Sequence, residues 1–296
     1  MKQEFQSVCE ALATKHTGFS LWLGAGVARA ATGGKTPGWG KLVEELLAES
    51  SGNGSSAAAA RNEQADFPDR LEGLSEAIGH RRFRRALREQ LVQPVRRENM
   101  DLEVIEEMAI VGARASAIVS FNLEEATAIP FTFTRGMGAS CMRVFTERVS
   151  YRANVERAPS PGPVSLPVYF PHGLLSHGRV VLTRSEYDEL QAGIAMTTAV
   201  HVALGSDLVI LGMSLDDAYL RSVLMHHRRW LGEIFWIDES FKHEEWARVA
   251  HVTMVSAPHR EIWRGLANSF VTHDASGDFA KIRQKAKEKF EKALLD

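Results

Sequence analysis

The chain has 296 residues, 45% of them hydrophobic, and a formal net charge of −2; this allows one large domain, or one domain with an insert, and gives no sign of a nucleic-acid partner. Its two cysteines, Cys9 and Cys141, exclude a disulfide framework and a four-cysteine zinc site within one chain, so a reducing cytoplasm is the expected compartment. No apolar run reaches about 18 residues and Met1-Lys2-Gln3-Glu4 opens no apolar leader, so neither a membrane span nor a signal peptide is expected.

In chain order, a first helix is predicted over about 3–16, then a short apolar strand from Phe19 to Leu23 ending in Gly24-Ala25-Gly26. Trp39 to Ala48 has helical spacing, with Leu42, Val43, Leu46 and Leu47 on one face. Ser51 to Ala60 is small and polar enough to be an exposed loop. Helices follow at about 67–78, 80–92 and 101–112, an all-helical insert (about 41–112) between the first and second strands. Strand-like runs return at Ser116–Phe121, Leu166–Phe170, Asp207–Leu211, Glu233–Asp238 and His251–Ser256, with helices at about 184–199, 215–229 and 258–269 between them. Residues 155–166, with Pro159, Pro161, Gly162 and Pro163, read as a loop. The pattern predicts a Rossmann-like, doubly wound, mostly parallel α/β sheet. A last helix, about 277–295, aligns Phe279, Ile282, Ala286, Phe290 and Leu294, opposite a charged face of Lys281, Lys285, Glu288 and Lys289; that stripe packs on its own domain or on a partner.

A strand running into Gly24-Ala25-Gly26 suits a phosphate, because glycine lets the backbone come close and turn sharply. The same turn also serves as plain packing. The dehydrogenase fingerprint fails, since its sixth position is Arg29, and no strand with a ribose-binding acid follows about twenty residues later.

Four segments then matter together: Leu23-Gly24-Ala25-Gly26-Val27 with a Gly/Pro-rich loop ending at Trp39; Ile118-Val119-Ser120-Phe121-Asn122-Leu123-Glu124; Val168-Tyr169-Phe170-Pro171-His172-Gly173; and Ile210-Leu211-Gly212-Met213-Ser214-Leu215-Asp216-Asp217. In this order the chain resembles the SIR2-like (sirtuin-fold) NADase domains of bacterial anti-phage defence systems, over about residues 18 to 225. Gly26, Asn122, His172 and Gly212 each fall just past a predicted strand end, where open parallel sheets bind ligands. Ala28 stands near where many relatives carry serine, and Phe121-Asn122-Leu123-Glu124 replaces their commoner T-N-Y-D.

Each candidate also has a plainer reading. Asn122 with Glu125 fits a helix N-cap. His172 fits a structural histidine, Ser214 with Asp217 a capping box, and Thr183 with Glu186 a second, purely structural one. Trp39 either covers the site or starts the insert's core. His226-His227 sit side by side on a helix and point apart, which argues against a metal. Arg81, Arg82, Arg84 and Arg85 form a solvated or interface face around Phe83, Leu87 and Leu91.

The resemblance implies one NAD-binding domain over 1–275 and a C-terminal helix over 276–296. NAD is the implied substrate, cleaved at the nicotinamide–ribose bond to ADP-ribose or a cyclic product, with no metal. Asn122 and His172 are the implied catalytic pair. Gly24, Ala25, Gly26, Val27, Trp39, Ser120, Gly212, Ser214 and Asp217 are the implied nucleotide contacts, the pyrophosphate lying on Gly24–Val27. Two rivals share the fold: an NAD-dependent deacylase or ADP-ribosyltransferase, and a sensor that binds without turnover. A separately encoded activator or sensor protein and a homo-oligomer are the implied partners.

Overall fold

Runs of apolar residues with no polar alternation belong to strands buried on both faces, and the computed structural model places them so. It describes residues 2–15, 18–48, 55–62, 64–92, 99–124, 129–132, 142–144, 166, 168–175, 180–190 and 199–295. The strands are β1 (Phe19–Leu23), β2 (Ala115–Ser120), β3 (Met142–Val144), β4 (Val168–Phe170), β5 (Asp207–Leu211), β6 (Ile234–Asp238) and β7 (Val252–Ser256). They form one sheet in the order β3-β4-β2-β1-β5-β6-β7, and every recorded pair is parallel. The chain adds β2, β3 and β4 on one side of β1, β4 returning between β2 and the edge strand β3, then crosses to β5 and builds outward on the other. β1 and β5 therefore flank the topological switch point of a doubly wound fold, where ligands bind at strand carboxyl ends.

Side chains alternate between two cores, as the two-residue period of a strand requires. Leu21, Leu23, Ile118, Val209, Leu211, Phe235 and Ile237 face one core. Helices α1 (Lys2–Thr14), α2 (Ala25–Ala31) and α7 (Leu102–Arg114) supply its cover. Trp22, Val119, Leu208, Ile210, Ile234 and Trp236 face the other.

The insert comprises α3 (Trp39–Ala48), α4 (Ser55–Arg61), α5 (Phe67–Ile78) and α6 (His80–Leu87), the last continuing as a π-helical turn over Arg88–Val92, and then α7. Leu42, Leu46, Leu71, Leu74, Phe83, Leu87 and Leu91 form a third core, which also takes in Leu123, Leu175 and Leu182 from loops at the strand carboxyl ends. The insert thus stands over one side of the sheet's functional edge. The loop expected from Ser51 to Ala60 is, from Ser55 on, helix α4. Its alanines favour helix, Ala57 and Ala60 are buried, and Gly73 of α5 leaves room for the Ser56 carbonyl, which would stand 2.7 Å from a Cβ there.

The chain continues through α8 (Ile129–Thr132), α9 (Arg184–Leu190), α10 (Ala218–His227), α11 (Glu244–Val249), α12 (His259–Thr272) and α13 (Asp278–Leu295). The Thr183–Glu186 box is present at α9: Glu186 Oε2 accepts from Leu182 N and Thr183 N at 2.9 and 3.0 Å. At α10 the cap is Asp217, which accepts from Leu220 N, and Ser214 takes no part. Arg84 does not belong to the solvated basic face: it pairs with Glu186 and donates to the Val180 carbonyl at 3.4 Å, while Arg81, Arg82 and Arg85 are exposed. On α13, Phe279 and Ile282 pack against the main core, Phe279 stacks on Phe270 with ring centroids 6.2 Å apart, and Ala286 is buried. The side chains of Lys289, Phe290 and Leu294 lie outside the described residues, as do Cys141, Glu125 and the proline loop before Leu166. No described helix is long and apolar enough to cross a membrane.

Candidate active site

The centre of the site is two backbone turns pressed together. Gly24 and Gly26 donate their amides to the carbonyls of Leu211 and Gly212, each at 2.9 Å, and Val27 donates to Gly24 at 3.1 Å. A Cβ on Gly24 would stand 2.4 Å from the Gly212 carbonyl oxygen, and one on Gly26 2.7 Å from the Gly212 Cα. Gly212 itself has φ +60, the left-handed region glycine favours. These glycines are therefore required by each other before any ligand is considered. The amides of Gly24, Gly26 and Val27 are already committed to carbonyls. Leu215 is also left-handed, at φ 55, and is 1% exposed. Backbone held there by an L-residue costs about 1–3 kcal/mol; Arg221, which donates to the Leu215 carbonyl, and Trp236, whose indole N–H donates to the Met213 carbonyl at 2.8 Å, hold the loop.

From β2, Asn122 reaches across and donates its side-chain amide to the Gly24 carbonyl at 3.1 Å. Its own backbone N–H points to Ser120 Oγ at 3.4 Å. Both side chains are buried, and residues 121–124 are not helical.

From β4 comes His172, 7% exposed, with its ring edge-on to Phe121 at 5.5 Å between centroids. His172 Nε2 lies 2.9 Å from Tyr187 Oη, and Tyr187 Oη donates to Asp217 Oδ2 at 2.8 Å. Burial pushes the imidazole down to about 4, against the pull of the Asp217 carboxylate. Burial, with Asp217 beside it, pushes the Tyr187 phenol well up. At neutral pH the imidazole and the phenol of this row are both neutral.

These turns wall a crevice of about 370 Å³ over the switch point, within the range of small-molecule sites. Of the residues singled out from sequence, Gly24, Ala25, Gly26, Trp39, His172, Gly212, Ser214 and Asp217 line it. Asn122, Ser120 and Val27 stand behind the wall. Trp39 faces the crevice and meets Phe67 edge-on at 5.1 Å within the insert.

The opposite wall was not legible in advance. His259, at the start of α12, packs so tightly on the glycine turn that a Gly26 Cβ would stand 2.5 Å from its Nε2. That nitrogen is 2.7 Å from Asp238 Oδ1 at the end of β6, and Nδ1 is 3.4 Å from Glu239 Oε1. Arg29, Arg70 and Lys242 bring positive charge to the same crevice. A carboxylate closing β6, two residues long with Glu239, was the one available signal. Among the described residues no group of three His, Cys, Asp or Glu could hold a metal ion.

Comparison with known proteins bears on this geometry. The SIR2-like domain family model matches residues 141–252, which include β4, His172, Tyr187, β5 and Asp217. No curated protein matches the chain. A solved chain described as "Structural Basis for the Mechanism and Regulation of Sir2 Enzymes" is similar at 11% identity and a TM-score of 0.47, over 98% of this chain and 100% of that one. The family match thus shows a likeness to the SIR2-like domain over residues 141–252.

Proposed function

We propose that the crevice binds NAD and that the chain hydrolyses its nicotinamide–ribose bond. The observation that carries this reading is His172, a buried and neutral imidazole on the wall of a switch-point crevice. As the bond between ribose C1′ and nicotinamide breaks, positive charge spreads onto the ribose. Water then bonds to C1′, and His172 takes a proton from a ribose hydroxyl or from that water. The products are nicotinamide, ADP-ribose and a proton; attack from within the substrate gives a cyclic product instead. Asn122, with Ser120 behind it, holds the turn against which the ribose lies. Gly212, Ser214 and Trp39 line the nucleotide.

The pyrophosphate is better served by side chains than by the committed amides of Gly24, Gly26 and Val27. Arg29 and His259 flank that turn, and Asp238 and Glu239 stand where ribose hydroxyls need acceptors. The reading extends to biology through the resemblance to defence NADases: a cytoplasmic effector, assembled as a homo-oligomer or switched on by a separately encoded partner.

Incubating the purified chain with NAD, with and without an acylated peptide, and separating the products tests this. Nicotinamide and ADP-ribose, or its cyclic form, should appear without peptide. Nicotinamide release only when peptide is present would replace the reading with a deacylase.

A further inference from the structure

His172, Tyr187 and Asp217 come from three separate segments and meet in one buried row. Each is 6–7% exposed. Asp217 has two assigned duties: Oδ1 accepts from Leu220 N at 3.0 Å as the α10 cap, and Oδ2 accepts from the Tyr187 hydroxyl at 2.8 Å. A phenol has one proton. With that proton given to Asp217, the Tyr187 oxygen can only accept from His172, so Nε2 must carry the hydrogen. Nδ1 is then the lone-pair nitrogen. It has no hydrogen-bond partner among the described residues, and the imidazole lines the crevice.

Tyr187 is placed by design of the local sequence. The Thr183–Glu186 box starts α9, and Arg184 ties that helix to Asp66 and Asp69 of the insert at 2.9 and 2.8 Å. Asp66 Oδ1 in turn accepts from Ala218 N at 3.1 Å, one residue past Asp217. The insert, α9 and α10 are thereby locked in the arrangement that the row needs.

We infer that Tyr187 is a positioning residue which, with Asp217 behind it, holds His172 as its Nε2–H tautomer and leaves Nδ1 to take the proton. The catalytic half of this inference rests on the hydrolase reading above. No proton travels along the row. When Nδ1 takes a proton from a hydroxyl, Nε2–H stays on the imidazole, the phenol proton stays on Tyr187, and Asp217 stabilises the imidazolium through the phenol. The logic is that of any base whose tautomer is fixed by an acceptor behind it.

The substitution Asp217→Asn separates this from a merely structural role. The amide oxygen keeps the cap on Leu220, and the NH2 group replaces Oδ2. Facing a donor, the Tyr187 hydroxyl must turn its own proton toward His172, which forces the Nδ1–H tautomer. Nitrogen NMR of the full chain, labelled at histidine and assigned with His172→Gln, reads the tautomer directly. The wild type should show Nε2–H, Asp217→Asn should show Nδ1–H, and Tyr187→Phe should show a mixture. NAD turnover should fall about 10²-fold in both variants, with ADP-ribose affinity kept within about threefold in Tyr187→Phe. A wild type already in the Nδ1–H form, or an Asp217→Asn that keeps Nε2–H, overturns the inference. Full turnover in folded Tyr187→Phe overturns the positioning role. If Asp217→Asn does not fold, Tyr187→Phe supplies the same two readouts. If the tautomer switches while the wild type consumes no NAD, the row stands and the hydrolase reading alone fails.

Discussion

Two walls of the crevice each carry a histidine held by an aspartate, and the two are built differently. His172 reaches Asp217 through Tyr187, in a largely buried row whose burial drives the imidazole to its neutral form. His259 meets Asp238 directly at 2.7 Å, has Glu239 beside its other nitrogen, and lies flush against Gly26. The first arrangement leaves the imidazole unprotonated at neutral pH, the form from which a general base starts. The second suits a fixed polar partner for a bound nucleotide. Under the proposed function, the same pair of residue types would thus do different work according to what stands between them.

Outside the two histidines, the largest expected effect comes from the residue that joins the walls. Asn122 donates to the Gly24 carbonyl from the His172 side. Asn122→Ala should lower NAD turnover at least about 10²-fold, with the circular dichroism spectrum kept. Asn122→Asp, which cannot donate to a carbonyl, should be no better. Turnover in Asn122→Asp near that of wild type would mean that the two walls do not need this tie.

Next is the contact between the glycine turn and the His259 wall. In Gly26→Ala the new Cβ meets His259 Nε2 at 2.5 Å and Gly212 Cα at 2.7 Å. Overpacking against backbone costs about 1–3 kcal/mol. Thermal unfolding should show that loss, and ADP-ribose binding should weaken more than turnover of bound NAD. An unchanged Tm would show that the turn has slack.

The smallest effect lies away from both walls and tests whether buried titration is peculiar to the site. Burial, with Glu103 nearby, raises Glu107 to about 7, and one carboxylate oxygen has no partner. Its folded value lies above the ordinary 4.5, so it contributes stability fully below pH 4.5 and loses it as pH rises through 7. Glu107→Gln should therefore raise stability at pH 8 by about 1–2 kcal/mol and leave it unchanged at pH 4.5. His172 has the opposite sign: its folded value of about 4 lies below 6.5, so its contribution is lost as pH falls through that window. An equal Tm gain from Glu107→Gln at both pH values would contradict the assignment.

The strands of the sheet's centre were legible because five-residue runs such as Phe19–Leu23 and Asp207–Leu211 are apolar at four of their five positions. β3 was not, since Met142–Val144 is too short to show a pattern. The alanines of α4 looked like a loop because their helicity depends on α5, through Gly73. At the site, the four strand ends and His172 were legible as motifs. Tyr187 was not, because its meeting with His172 and Asp217 is made by folding. Ser214 was credited with a cap that Asp217 makes, an ambiguity that spacing alone leaves open. His259 stands far along the chain, and only the packing of α12 brings it to Gly26.

The separation of duties is tested most directly by steady-state NAD kinetics on His172→Ala and His259→Ala side by side. His172→Ala should lose turnover by about 10²- to 10⁴-fold with ADP-ribose affinity near that of wild type. His259→Ala should raise KM and the ADP-ribose Kd about tenfold, near 1.4 kcal/mol, with kcat within a few-fold. Folded His172→Ala that turns over NAD like wild type, or His259→Ala that loses kcat while binding normally, would contradict the account.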